Sequence, residues 1–584
     1  MTVLPAEIAN RIAARLTRLY GERAAETLAA VESLCASHVA ACPAAQPKKW
    51  DQRDIALITY GDMVQSEGEP ALATLRRFLH HRALDDLFST VHLLPFFPYT
   101  SDDGFSVVDY RRVDPPLGDW SHVQAIGKRV DLMFDLVLNH VSRSSVYFQK
   151  YAAGEAPFDR FFIEVDPATD LSKVTRPRPH PLLTEVQTSR GPRHVWTTFS
   201  DDQMDLNFAE PAVLLEMLDV LLSFVRRGAR IVRLDAIAYL WKEIGTNCIH
   251  LPQTHEVVKL LRDVVSAVAP HVLLLTETNV PHAENVSYFG DGDEAHMVYN
   301  FSLPPLLLDA FLQRDVGPLT RWLKGLSEPP PGCAYFNFAA SHDGVGVRPL
   351  EGLVSHERFD ALVAACQQRG GRVGLKTNPD GSKSPYELNI TYFDALGPAP
   401  GDRFPPGDEA HVRRFLASQA IVLALKGVPG IYFHSLVGTP NDTRAVEETG
   451  INRRINRRKY GFDELTAILR AAGSPQHAVF EGFRHLLAVR RDQPAFHPDA
   501  KQTVIDTGDG AVFGFFREFT VASNEEAGQR ILVLANTADQ PKQIVPHLPP
   551  GGKLTRDLLS STATVEPHTV QLRPHQAAWL ELGT

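Results

Sequence analysis

Cysteine is scarce: Cys35, Cys42, Cys248, Cys333 and Cys366 are five in 584 residues, an odd and scattered set with no CxxC pair and no histidine at metal-ligand spacing beside it. That pattern argues against a disulfide framework and a cysteine-held metal, and reads as the reduced thiols of a cytoplasmic protein. Long apolar runs are missing as well, since no stretch approaches the roughly 20 unbroken apolar residues of a membrane span. There is no basic excess: 59 Lys and Arg stand against 69 Asp and Glu, for a net charge of −10. Such a chain is a poor match for nucleic acid or an anionic membrane, so neither is expected as a partner. The opening MTVLPAEIANRIAARL lacks the compact apolar core and small-residue cleavage site of a signal peptide, and reads as an amphipathic helix. With no HExxH and no EF-hand loop, no catalytic metal is expected.

What remains is a large globular chain with 44% apolar and 22% charged residues. Residues 6–41 are rich in Ala, Leu, Arg and Glu at helical spacing and end at the stretch holding Pro43, Pro47, Lys48 and Lys49, so residues 1–49 read as a helical N-terminal extension. After Trp50 come eight short apolar runs: 55–60, 90–96, 131–140, 230–236, 272–278, 296–301, 334–343 and 430–435. Several end in polar residues, as strands buried on both faces do. Periodic stretches such as 211–229 and 254–270 separate them and read as helices. This alternation predicts an α/β fold, a (β/α)₈ TIM barrel over residues 50–141 and 205–500, with its active site at the C-terminal strand ends. Residues 142–204 are too long for an ordinary βα loop and predict an insertion subdomain over the barrel mouth. From 501 to 584, strand-like runs between turn residues predict a C-terminal antiparallel β domain.

Four strand ends carry polar groups to one mouth: Asp135, Asn139 and His140 at the third, Arg233 and Asp235 at the fourth, Glu277 at the fifth, and His342 with Asp343 at the seventh. A lone aspartate there is more often a helix cap, but several converging acids suit cleavage of an acetal. One carboxylate attacks the anomeric carbon, a second arrives protonated for the leaving oxygen, and a third supports the oxocarbenium-like transition state. Arg233 and Asp235, two apart on a strand, face the same side, which lets the arginine keep the nucleophile ionised.

DLVLNH (135–140), VRLDA (232–236), TETN (276–279) and SHDG (341–344) resemble, in order and in kind, the four conserved regions of the α-amylase clan, glycoside hydrolase family 13. The resemblance implies Asp235 as nucleophile, Glu277 as general acid/base and Asp343 as transition-state stabiliser, with Asp102, His140, Arg233, His342 and Arg457 around the glucosyl ring. LITYGD, HLLPFFPYTSDDGFSVVDY, RPRP (176–179), PYELNITYFDAL (385–396) and INRRKY (455–460) narrow it to the sucrose phosphorylase subfamily. Those enzymes pass glucose from a covalent glucosyl-enzyme to inorganic phosphate, as a co-substrate and without organic cofactor, and the resemblance places Arg178 and Tyr386 near phosphate or acceptor. Read without the resemblance, RPRP is a stiff solvated loop. Asn139 alone leaves a structural calcium open; the resemblance argues against one.

The helical extension, TFSDDQMDLNF (198–208) and KTNPDGSKSPYELN (376–389) are most similar to glucosylglycerate phosphorylases, which implies 2-O-α-glucosyl-D-glycerate as donor. Sucrose or glucosylglycerol phosphorylase is the alternative within the subfamily, and an α-glucoside hydrolase or transglucosylase lies further off. A non-catalytic sugar-binding barrel is disfavoured by the presence of all three acids. A glycerate carboxylate calls for a cation at the acceptor end, and Arg348, Lys376 and Lys383 are the candidates, each alone more readily read as a surface charge. Oligomeric state is not legible.

Overall fold

The computed structural model describes residues 4–40, 42, 50–378, 381–399, 405–521, 524–560 and 566–583; the stretch holding Pro43, Pro47, Lys48 and Lys49 lies outside them. Eight parallel strands close into a barrel: β1 (Ala56–Thr59), β2 (Thr90–Leu93), β3 (Asp131–Val137), β4 (Ala229–Asp235), β5 (Leu273–Thr276), β6 (Met297–Tyr299), β7 (Ala334–Phe338) and β8 (Val428–Tyr432). Closure is made by β1, whose Leu57 sits beside Val91 of β2 on one side and Ile431 of β8 on the other. The strands are almost wholly buried, which is why their sequence lacks apolar–polar alternation.

Most strands stop short of the apolar runs that announced them. The run at 131–140 leaves the barrel ladder at Val137, and His140–Ser142 then pairs antiparallel with Gln203–Asp205. His140 is therefore held by the insertion and not by the barrel wall. Glu277 follows the last residue of β5, and His342 and Asp343 lie beyond the end of β7. His140, Glu277, His342 and Asp343 thus sit where the chain has left the ladder and can turn across the mouth, whereas Arg233 and Asp235 are still in it.

The extension is two helices, α1 (Ala6–Tyr20) and α2 (Ala24–Val39), broken at Gly21, whose φ of 56° lies in the left-handed region. They lie against α3 (Pro211–Arg226) and α4 (Pro252–Val268), and Arg15, 5% exposed, donates from Nε to Asp263 Oδ2 at 2.8 Å. Within 142–204 a helix, Val146–Ala153, precedes the hairpin Leu183–Thr188/Gly191–Trp196. After β7 the chain forms a small antiparallel sheet, Val345–Gly346, Arg372–Thr377 and Lys383–Asn389, which the sequence pattern did not announce.

The C-terminal sheet holds β9 (Lys501–Val504), β10 (Val512–Val521), β11 (Asn524–Asn536), β12 (Lys553–Asp557) and β13 (Ala577–Gly583), in the order β9-β10-β11-β13-β12 with antiparallel neighbours. Of the run at 564–574, residues 564 and 565 lie outside the described set and only Val570–Leu572 is strand, paired with Lys542–Ile544 outside the main sheet. Arg517 of β10 is fully buried and donates to Ala424 O and His497 O, tying this sheet to the barrel. Among the described residues no helix is long and apolar enough to cross a membrane.

Candidate active site

Asp235 closes β4, and Arg233, two residues earlier, donates from Nη1 to Asp235 Oδ1 at 2.8 Å and to Asp135 Oδ1. His92 of β2 stands 2.6 Å from the other oxygen of Asp135. His92, Asp135 and Arg233 form a buried chain under the pocket, each group with a charged or hydrogen-bonded partner. Ala236, next to Asp235, has φ 51°, a conformation disfavoured for a residue with a Cβ, and its N–H donates to Glu277 Oε2 at 3.1 Å. The strained residue thereby links the two carboxylates assigned to the reaction.

Burial pushes the Asp235 and Glu277 carboxyls up, and their mutual repulsion at Asp235 adds to it. The opposing charge of Arg233 is unequal, 2.8 Å from Asp235 but 4.0 Å from Glu277. We therefore place the proton on Glu277 and the charge on Asp235. At Asp343, burial also pushes up, but the guanidiniums of Arg453, Arg457 and Arg233 outweigh it and hold the carboxyl well below the usual range. Arg453 Nη1 lies 2.7 Å from Asp343 Oδ1, and its Nε is 3.1 Å from Glu387. Glu387, itself buried, accepts from the backbone N–H of Gly344, next to Asp343. Burial lowers His140 and His342, leaving both neutral and able to donate or accept toward sugar hydroxyls.

The loop bearing Asp102 is built under strain. Asp102, Asp103 and Gly104 have φ of 51°, 49° and 113° in succession, and a Cβ on Gly104 would lie 2.7 Å from Pro95 O. Arg457 Nη1 donates to Asp103 Oδ2 at 2.6 Å, while the hydroxyls of Thr100, Ser101 and Ser106 converge on Asp202 of the insertion. Phe105 stacks on the His342 ring at 4.8 Å, and its carbonyl lies 2.9 Å from His140 Nε2. Gln203 Nε2 donates to the same carbonyl and sits 3.1 Å from His140 Nε2.

One pocket is lined by Asp102, His140, Arg178, Arg233, Asp235, Glu277, His342, Asp343 and Tyr386, nine of the ten residues to which the family resemblance gave a role. Arg178 reaches in from the insertion with its guanidinium 5.8 Å from the Tyr386 ring. Arg457, the tenth, stands one layer back: it is buried, binds Asp103 and His342 O, and approaches Asp343 only to 3.7 Å. Arg453, not singled out from sequence, lines the pocket and lies against Asp343.

These features have counterparts in known proteins. The family "Alpha amylase, catalytic domain" matches residues 84–317. A glucosylglycerate phosphorylase of Allomeiothermus silvanus is 46% identical over 582 residues, 99% of this chain and 100% of that one. One from Spirochaeta thermophila is 50% identical over 488 residues, covering 84% of this chain and 81% of its own. The chain belongs to the glucosylglycerate phosphorylase family. Among solved structures, sucrose 6F-phosphate phosphorylase from Thermoanaerobacter thermosaccharolyticum superposes with a TM-score of 0.71 at 26% identity, covering 83% of this chain and 94% of its own.

Within this family member, His92, Arg453, Glu387 and Lys242 are the residues that sequence reasoning missed. Arg453 had a visible signal, since INRR at 451–454 is repeated at 455–458 and only the second copy was read as functional. His92 was legible only as a polar residue in an otherwise apolar strand. Lys242 resolves the reading of Asn139: its ammonium, on a side chain 3% exposed, lies 2.8 Å from Asn139 Oδ1 and 2.6 Å from Asp205 Oδ2. A lysine thus supplies the positive charge at the oxygens where a calcium was left open. Among the described residues no group of three or more His, Cys, Asp or Glu side chains is arranged to hold a metal. Lys376 lies 3.5 Å from Glu351, Lys383 is exposed, and Arg348 is mostly buried; none of the three lines the pocket.

Proposed function

We propose that this chain is a retaining glycoside phosphorylase that moves an α-glucosyl group from 2-O-α-glucosyl-D-glycerate to inorganic phosphate, giving α-glucose 1-phosphate and glycerate. The observation that carries the reading is the joint one: Asp235, Glu277 and Asp343 face a single pocket in a chain that aligns with a glucosylglycerate phosphorylase from end to end.

In the first half-reaction Asp235 attacks the anomeric carbon as the bond to the glycerate oxygen breaks, and Glu277 delivers its proton to that oxygen. Asp343, held ionised by Arg453, supports the positive charge that develops on the ring. His140, His342 and Asp102 present neutral and anionic groups to the sugar hydroxyls. In the second half, an oxygen of hydrogen phosphate attacks the glucosyl-enzyme from the face the glycerate vacated, the bond to Asp235 breaks, and the phosphate proton passes to Glu277. Two inversions leave the α configuration. Arg178 supplies the cation that the incoming dianion needs over an otherwise acidic floor. No organic cofactor enters the scheme; phosphate is a co-substrate. All five cysteines are free thiols, which supports a cytoplasmic location.

The test is reverse synthesis with α-glucose 1-phosphate as donor against D-glycerate, glycerol, fructose and fructose 6-phosphate. Glycerate should be used far better than the others. Preference for another acceptor would reassign the substrate, and glucose release from the glucoside that ignores phosphate would reject the phosphorylase.

A further inference from the structure

We infer that Arg348 is the acceptor-carboxylate anchor, the residue that selects a glycerate-type acid over a neutral polyol; the inference rests on the glucosylglycerate reading above. Three cations were candidates for this task, and the structure separates them. Lys383 is exposed, and Lys376 pairs with Glu351 at 3.5 Å. Arg348 has a side chain only 17% exposed, yet its Nε is buried without a hydrogen-bond partner and its nearest carboxylate, Glu351, is 3.9 Å away. A buried guanidinium nitrogen with no hydrogen bond to any described residue is uncommon, because burial without a partner costs free energy. A bound anion would satisfy it.

Its position fits an acceptor. Arg348 follows Val345–Gly346, of which both residues line the pocket, and Val347 N donates to Tyr386 O at 3.1 Å, so the turn is fastened to the strand that carries Tyr386. Tyr239 lines the pocket, and the positive charge of Arg348, like that of Arg178, opposes the rise that burial gives its hydroxyl. Arg178 lies against the Tyr386 ring and acts on Tyr239 as Arg348 does, so two arginines stand by these two pocket tyrosines. The reaction brings two different anions to this side in turn, the leaving glycerate and the entering phosphate. Separate arginines let the site discriminate between them, and a guanidinium meets a carboxylate with two parallel hydrogen bonds where an ammonium offers a point charge.

The experiment measures kcat/KM for D-glycerate and for glycerol, with α-glucose 1-phosphate as donor, in the wild type, Arg348→Gln and Arg348→Lys. The glycerate-to-glycerol ratio should fall by about 10- to 100-fold in R348Q, the loss of one charge-assisted pair. In R348K it should fall by less, and the KM for phosphate in phosphorolysis should hold in both. R348K keeps the charge and carries the test if R348Q does not fold. An unchanged ratio would overturn the assignment, as would a raised phosphate KM at constant ratio, which would make Arg348 a phosphate ligand. A wild type that glucosylates fructose or glycerol but not glycerate fails the glucosylglycerate reading itself and removes the basis of the inference, an outcome visible before any variant is made.

Discussion

The floor of the pocket and its rim are built on different principles. On the floor, Asp235, Arg233, Asp135 and His92 project from consecutive regions of barrel strands, are nearly or wholly buried, and each has its partner at hydrogen-bond distance. On the rim, Arg178 and Tyr386 come from the insertion and from the small sheet, are half-buried, and meet through a ring contact at 5.8 Å. On the function proposed above, the floor handles the glucosyl ring and its developing charge, and fixed donors in a dry setting do that best. The rim must release one anion and admit another. Loops with few mutual bonds can be altered there without disturbing the chemistry below.

If that division is right, the largest losses lie on the floor. Asp235→Asn should lower phosphorolysis by on the order of 10⁴-fold or more, because an amide cannot form the glucosyl-enzyme. Steady-state rates together with an unchanged thermal melt check it; retained turnover would reject Asp235 as the nucleophile. Glu277→Gln comes next, with a loss of about 10²- to 10⁴-fold for the glycerate donor and far less for α-glucosyl fluoride, whose leaving group needs little protonation. A pH profile adds a sign. Burial holds the Glu277 proton to higher pH than an exposed glutamate would. The rate with glycerate should therefore fall as pH rises through that raised value, where the acid form is lost. The fluoride should lack this limb, and equal losses for both donors would count against the acid role.

The junction between floor and rim gives a third test. Arg453 touches Asp343 on the floor, and Glu387, its other partner, is adjacent to Tyr386 on the rim. Arg453→Gln removes the nearest cation from Asp343, so that carboxyl should rise toward its ordinary value. Because Asp343 acts ionised, activity should be lost from the acid side first, with the acid limb of kcat/KM moving to higher pH and a fall of about 10²-fold near neutrality. An unmoved acid limb would show that Asp343 does not depend on Arg453.

The same division explains what the sequence made legible. Barrel strands buried on both faces write themselves as apolar runs, and the candidate catalytic groups at or just beyond their ends, Asp235, Glu277 and Asp343, stand in short phrases that the ladder geometry keeps together. Partners contributed from a distance leave no such trace: Glu387 lies 66 residues from Arg453, and Lys242 lies 103 from Asn139. The small sheet at 345–389 was missed for a related reason. Its strand Arg372–Thr377 is exposed or half-buried throughout, so no apolar pattern marks it. The run at 131–140 erred the other way, because an apolar stretch continues through a bend once both sides of the bend are buried.

The smallest effect belongs to the rim, and it sets the comparison most sharply. Arg178→Ala removes the guanidinium beside Tyr386 and touches none of the bonds around Asp235, Glu277 or Asp343. Formation of the glucosyl-enzyme should therefore persist, while capture by phosphate slows. The expected signature is a rise of about 10-fold in the KM for phosphate, with a larger share of the glucosyl-enzyme lost to water. Product analysis at several phosphate concentrations, scoring free glucose against glucose 1-phosphate, measures that partition directly. If R178A instead slows the first half-reaction as severely as E277Q, then the rim is part of the catalytic floor. It would then not be a separate, replaceable layer.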